Sequence, residues 1–256
     1  MIIAIDVGNT NIVLGCLNSQ TSIHFTARMS TDRFKTSDEY AVAIKQILEL
    51  NHADLSKIEG GIISSVVPAL STVLQDAIEK ITGHRPLVVG SGLKTGLNIL
   101  IDNPAQLGSD LVVDAVAAIA AYPKPIMIFD MGTATTLSVI DSKGNYLGGM
   151  IIPGISLALE ALSSRTSQLP RIRLDTPKKL IGSNTIDCMK SGTIYGNASM
   201  LDGIIDRVEK ELGESPTVVA TGGLSRSIVP YCERKIICDD NLMLKGLFIL
   251  YQKNQK

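Results

Sequence analysis

A chain of 256 residues, 45% of them hydrophobic and with a mean hydropathy of +0.24, is long enough to bury one large core or two of ordinary size. Its 24 basic and 25 acidic side chains leave a net charge of −1. That balance offers no global field to nucleic acid or to a membrane surface, so any anion must be held locally.

Residues 1–6 read as a strand that runs straight into Asp6, with no basic region of the kind that opens a signal peptide. After Asp6 come Val7, Gly8, Asn9, Thr10 and Asn11, and then a returning strand through Ile12 and Val13 over residues 11–18. A third strand over 21–30 completes a meander. A helix over 37–51 follows, with Ser37 as the expected cap before Asp38 and Glu39. Next come a strand at 61–67, a helix at 68–82 that opens on Pro68 and stops at Gly83, and a strand at 86–89. Residues 104–121 read as an Ala-rich helix starting at Pro104, polar only at its beginning and at Asp114. Its most apolar part, 111–122, is too short to span a bilayer.

The second half repeats the first in format. Residues 126–129 lead into Asp130, Met131, Gly132, Thr133, Ala134, Thr135 and Thr136, and a strand returns over 137–140 and continues through 146–152. Helical segments around 156–162 and 185–212, a strand at 217–221 and a last helix near 241–251 follow. Between them, 170–184 is irregular and charged and reads as a loop. Cys16, Cys188, Cys232 and Cys238 form no Cys-x-x-Cys pair, and His24, His52 and His84 stand apart from them, which argues against a zinc site. A cytoplasmic protein with reduced thiols is expected.

Asp-x-Gly is ordinary turn chemistry when it occurs once. Two copies in equivalent positions, both rich in Asn or Thr, point to something more specific. Aspartate supplies hard oxygen for a cation, glycine lets backbone N–H groups approach a polyanion, and Asn or Thr adds neutral donors. Two such hairpins facing one another across a cleft would hold a nucleoside triphosphate, so the expected fold is α/β with two duplicated halves, residues 1–105 and 106–256.

The paired hairpins resemble those of the actin, sugar-kinase and Hsp70 ATPase superfamily, whose halves are ribonuclease-H-like. More narrowly, the whole chain resembles type III pantothenate kinases, through Thr95 to Ile99, Asp102 to Pro104, Gly108 to Asp110, Gly148 to Gly154, Arg165 and Thr166 with Leu169 and Pro170, Ile181 to Thr185, and Thr221 to Gly223. The resemblance implies phosphorylation of pantothenate by ATP, the first step of coenzyme A synthesis, in a homodimer that binds neither nucleic acid nor membrane. It implies that Asp6, Val7, Gly8, Asn9, Thr10, Asn11, Ile12 and Val13 form the first phosphate loop, with Asp6 positioning Mg²⁺. By the same likeness Asp130 holds K⁺ or NH₄⁺, Thr133, Gly222 and Gly223 meet ATP, and Gly108, Ser109, Asp110, Leu111 and Thr185 meet pantothenate, with Asp110 as general base. A carboxylate near the acceptor hydroxyl suits phosphoryl transfer, which depends on positioning and electrostatics. The start of a helix also favours the charged form of Asp110.

The chain departs from the family pattern at three positions: Ile101 stands where Tyr is usual, Leu111 where Arg follows the base, and Ser138 where Asp follows the second hairpin. An Arg hydrogen-bonded to the substrate carboxylate contributes roughly 1.5–3 kcal/mol, and Arg165, Arg171 and Arg173 are the cations that could replace it. Two other readings follow from these departures: a catalytically weak nucleotide-binding regulator, and a kinase for a different hydroxylated acceptor.

Overall fold

The computed structural model describes residues 1–255. Contacts divide the described residues into two compact units, one made of Met1–Leu97, Asp102–Ala120 and residues 241–255, the other of Asn98–Ile101 and Ala121–Asp240. The sequence division at 105/106 runs along the chain. The contacts instead group most of the helix after residue 108 and the C-terminal helix with the first unit.

The first unit is built on a five-stranded sheet. Strands β1 (Ile2–Val7), β2 (Asn11–Leu17) and β3 (Ile23–Ser30) form an antiparallel meander, and β4 (Gly60–Ser65) and β5 (Leu87–Val88) add in parallel on the far side of β1, giving the order β3-β2-β1-β4-β5. Strand alternation sorts β1 onto two faces. Ile3, Ile5 and Val7 enter a core with Tyr40, Ile44 and Leu48 of α1 (Ser37–Leu50) and Leu70, Leu74 and Ile78 of α2 (Pro68–Thr82). Ile2 and Ala4 enter a second core with Val113 and Val116 of α3 (Ser109–Ala121) and Leu244, Leu247 and Leu250 of α7 (Leu242–Asn254). Both faces are covered by helices, which is why β1 reads as an almost unbroken apolar run.

Two helix starts differ from expectation. α1 is capped by Thr36, not Ser37: the Thr36 hydroxyl accepts from Glu39 N while the Glu39 carboxylate accepts from Thr36 N at 2.8 Å, a reciprocal pair that satisfies two amides. α3 begins at Ser109, not Pro104. Asn103 instead caps a separate 3-10 turn at Pro104–Gln106, and Val112 N donates to Gly108 O at 3.2 Å to open the α-helix.

The second unit repeats the strand order. β7 (Ile126–Met131), β8 (Ala134–Ile140) and β9 (Asn145–Pro153) form the meander, and β10 (Thr217–Thr221) and β11 (Ile237–Cys238) add in parallel beyond β7. The two-residue β6 (Asn98–Ile99) pairs with the outer edge of β9. Phe129, Met131, Leu137 and Val139 pack with Ile155 of α4 (Ile155–Arg165), Ile194, Leu201 and Ile205 of α5 (Thr185–Leu212) and Ile228 of α6 (Ser225–Ile228). Read from the meander outward, β9-β8-β7-β10-β11 matches β3-β2-β1-β4-β5 strand for strand. No helix among the described residues is long and apolar enough to cross a membrane.

Candidate active site

In the first unit, Asp6 is the penultimate residue of β1, one residue before the turn. It alternates with Ile5 and Val7, so its side chain leaves the sheet on the face that carries α3 and α7. The turn closes with Gly8 N donating to Asn11 O at 2.9 Å. It is braced from the segment after β3: Thr31 Oγ1 donates to Gly8 O at 2.7 Å, Thr31 N to Thr10 O at 3.0 Å, and Arg33 Nη2 to Asn9 Oδ1 at 3.1 Å. Val7 and Ile12 are buried, and Val13 is half-buried, so these three anchor the loop while Asn9, Thr10 and Asn11 are exposed.

Parallel pairing sets Asp6 beside Ser64 and Val7 beside Ser65. Ser64 is fully buried, and its Oγ donates to Ser109 Oγ at 3.1 Å; Ser109 Oγ in turn donates to Ser65 O at 3.3 Å. The first residue of α3 is thereby tied to the end of β4 next to Asp6, and Asp110 follows it. The Asp110 carboxylate folds back over its own helix start, accepting from Leu111 N at 2.9 Å.

The expected stabilisation of ionised Asp110 by the helix start is present in that bond, but it does not decide the balance. Burial raises the Asp110 pKa, and the opposing pull of the Leu111 and Asp110 amides is smaller. A carboxylate with raised proton affinity is better suited to receive a proton from an alcohol.

In the second unit, Asp130 occupies the place in β7 that Asp6 has in β1. β7 pairs Asp130 with Thr136 on β8 and with Thr221 on β10. The turn is one residue shorter than its counterpart, with Gly132 N donating to Ala134 O at 3.0 Å. Gly222, at φ +87°, packs so closely that a Cβ there would lie 2.5 Å from Asp130 Oδ1 and 2.6 Å from Met131 N. Gly154, ahead of α4, is pressed in the same way against the carbonyls of Gly132 and Thr133. Asp130, Thr133, Gly154 and Gly222 therefore meet around one hairpin tip, while Gly223 continues the turn after Gly222.

Thr185 lies elsewhere in the second unit, at the first position of α5 behind the Asn184 cap, whose side chain accepts from Asp187 N at 2.9 Å. It lines a cavity of about 810 Å³ together with Leu159, Leu162, Cys188, Met189 and Asn197. Arg171 borders a smaller cavity of about 260 Å³ with Ser156, Glu160 and Ser163. Ser138, at the position where an acid was expected, pairs with the Tyr146 hydroxyl at 3.1 Å inside the sheet. Ile101 packs 3.7 Å from where a Gly148 Cβ would stand.

Sequence reasoning missed Ser64, Ser65, Thr31, Arg33 and the closeness of Gly154 to the hairpin. Ser64 and Ser65 carried one faint signal, a hydroxyl pair ending an apolar strand. The others depend on which strands become neighbours.

The donor set also bears on cations. Among the described residues, no group of three or more His, Cys, Asp or Glu side chains could hold a metal ion. A single carboxylate such as Asp6 fits a divalent ion that arrives with nucleotide phosphates, since Mg²⁺ in nucleotide sites keeps waters and phosphate oxygens and takes only one or two carboxylates. Asp130 offers a hard oxygen at a turn where Gly222 leaves no room for a side chain.

Two matched α/β units, each presenting an Asp-x-Gly hairpin at the same strand position, are the architecture of the actin, sugar-kinase and Hsp70 ATPase fold. The (R)-2-hydroxyglutaryl-CoA dehydratase component A of Acidaminococcus fermentans shares this fold at a TM-score of 0.58 and 16% identity, covering 99% of this chain and 98% of that one. A Sinorhizobium meliloti protein named for 2-dehydro-3-deoxygalactonokinase shares it at a TM-score of 0.60 and 10% identity, covering 99% and 97%. The type III pantothenate kinase family profile matches residues 2–207. A type III pantothenate kinase of an Exiguobacterium species is 48% identical over 256 residues, the full length of both chains. The chain belongs to the type III pantothenate kinase family.

Proposed function

We infer that the chain phosphorylates pantothenate with ATP, the first step of coenzyme A synthesis, and that Asp110 takes the proton from the primary hydroxyl. The observation that supports this reading is the Asp6–Ser64–Ser109–Asp110 succession: Ser64 pairs beside Asp6 and bonds to Ser109, the residue before Asp110, whose proton affinity burial raises.

In this reading Asp6, Gly8, Asn9, Thr10 and Asn11 receive the phosphates, with Val7, Ile12 and Val13 anchoring the loop. Thr133, Gly222 and Gly223 are taken as further ATP contacts. Gly108, Ser109, Asp110, Leu111 and Thr185 bind the acceptor. Mg²⁺ held with ATP by Asp6, and K⁺ or NH₄⁺ held by Asp130, would supply positive charge against the charge that develops on the transferring group. Asp110 aligns the attacking oxygen and accepts its proton, which is worth roughly 10²- to 10⁴-fold in rate.

A homodimer in the cytoplasm completes the proposal. The apolar surface of α3 is taken up by the first unit's own core. The support for a partner is instead on the second unit, where Leu157, Leu162, Leu180, Ile181 and Ile186 are exposed around the approach to α5.

The test is ADP release with pantothenate, Mg²⁺ and K⁺. Robust turnover that falls when Na⁺ replaces K⁺, and falls equally in Asp130→Ala, is the expected result. Equal rates in both salts remove Asp130 from its role. ATP binding without turnover favours the regulatory reading, and turnover only with another alcohol favours a different acceptor.

A further inference from the structure

We propose that Ser64 is a positioning residue for phosphoryl transfer, its buried hydroxyl fixing the start of α3, and so Asp110, relative to Asp6. The proposal deepens the assignment of Asp110 as base and rests on it.

Ser64 is fully buried next to the end of β4, between Ile63 and Ser65. A hydroxyl there is unfavourable unless it is hydrogen-bonded, and its partner is not the nearest backbone but Ser109 Oγ, 45 residues away at 3.1 Å. Ser109 is held a second time, through its bond to Ser65 O at 3.3 Å. Two contacts thus lock the first residue of α3 onto the last two residues of β4. The β1–β4 register places those two residues beside Asp6 and Val7. Asp110 has little freedom of its own, because its carboxylate is turned back onto Leu111 N. Its location is therefore that of the helix start, and Ser64 sets that location.

The second unit gives an internal comparison. Thr221 is the residue beside Asp130, as Ser64 is beside Asp6, and it is also buried. What packs there is the Gly222 turn, not the first turn of a helix bearing a carboxylate. A hydroxyl beside the hairpin aspartate recurs in both halves, and in the first it is spent on the helix that carries Asp110.

Small displacements of a reacting group lower rate far more than they lower binding. Ser64→Ala is expected to reduce kcat about tenfold, while KM for ATP and the affinity for a non-hydrolysable ATP analogue stay within about twofold. Ser109→Ala breaks that bridge from its less buried end together with the bond to Ser65 O, and should give a loss at least as large. The double variant should lose no more than Ser109→Ala alone, because removing the Ser109 hydroxyl already breaks the bond from Ser64. Ser64→Thr, which retains the hydroxyl, should recover most of the rate. Wild-type kcat in folded Ser64→Ala overturns the proposal, and so do losses that multiply in the double variant or fall equally on ATP-analogue affinity. Should Ser64→Ala fail to fold, Ser109→Ala decides, and wild-type kcat there overturns the proposal. Asp110→Asn run alongside separates the two levels: if that variant retains turnover the base assignment fails, whereas loss in Asp110→Asn with none in the serine variants defeats the serine proposal alone.

Discussion

Asp110→Asn should lower kcat for pantothenate phosphorylation by roughly 10²- to 10⁴-fold and at the same time make the protein more resistant to unfolding at neutral pH. The first effect is the loss of the proton acceptor. The second follows from burial, which raises the folded-state pKa of Asp110 above its ordinary value of 3.8. A carboxyl with a raised folded-state pKa stabilises the fold only while protonated. That contribution is complete below 3.8 and is lost as pH rises through the folded-state pKa. At neutral pH the ionised group is a cost that Asn does not carry, while the Asn side-chain oxygen still accepts from Leu111 N. Thermal unfolding measured against pH should therefore show the variant above the parent at pH 7, with the gap closing as the solution is acidified below the ordinary carboxylate range. A parent and variant with identical unfolding curves at pH 7 would show that Asp110 is not desolvated, and its tuning as a base would have to come from elsewhere.

The second large effect is expected at Gly222. Its φ of +87° is rare for any residue with a side chain, and a Cβ would fall 2.5 Å from Asp130 Oδ1 and 2.6 Å from Met131 N. The obstruction includes backbone, so it cannot be relieved by a side-chain rotation alone. Gly222→Ala should cost about 1 kcal/mol or more in backbone strain and push the Asp130 hairpin tip out of place. Losing one contact to a charged group at that tip, about 1.5–3 kcal/mol, corresponds to roughly a 10- to 100-fold weaker Kd for an ATP analogue, measurable by calorimetry. Gly196, on α5, is the control. Nothing lies within 4 Å of a Cβ there, so Gly196→Ala should leave nucleotide affinity unchanged and add about 0.5–1 kcal/mol to stability. Unchanged affinity in Gly222→Ala would separate the turn from the nucleotide.

Much of this architecture could be read from residue order. The two hairpins were visible because their signals are local: an apolar run, an aspartate, a glycine turn and a returning apolar run. Pro68 and Gly83 marked both ends of α2 for the same reason, and the charged stretch before Asn184 showed no period and contains no regular element. The start of α3 was misread because Pro104 is a good first residue for a helix, and nothing local reveals that its turn ends at Gln106. The apolar character of α3 was visible, but what it packs against was not, since α7 lies more than 120 residues further along the chain. Charge at Asp110 was judged from its place on the helix, whereas burial by the fold decided the direction. Ser64 gave only a faint signal and Thr31 none, because their partners, Ser109 and the Gly8–Thr10 turn, are fixed by strand register, which no short stretch of sequence encodes.

The last helix has a consequence for how the protein comes into being. α7 contributes Leu244, Leu247, Phe248, Leu250 and Tyr251 to the core beneath β1 and β4, so those strands lack one covering layer until the much later α7 segment has left the ribosome. The intervening residues 121–240 have by then been made in full. Vectorial synthesis thus runs against the usual order, in which the N-terminal portion matures first. A nascent chain stalled before residue 241 would expose a broad oily face and be a natural client for chaperones.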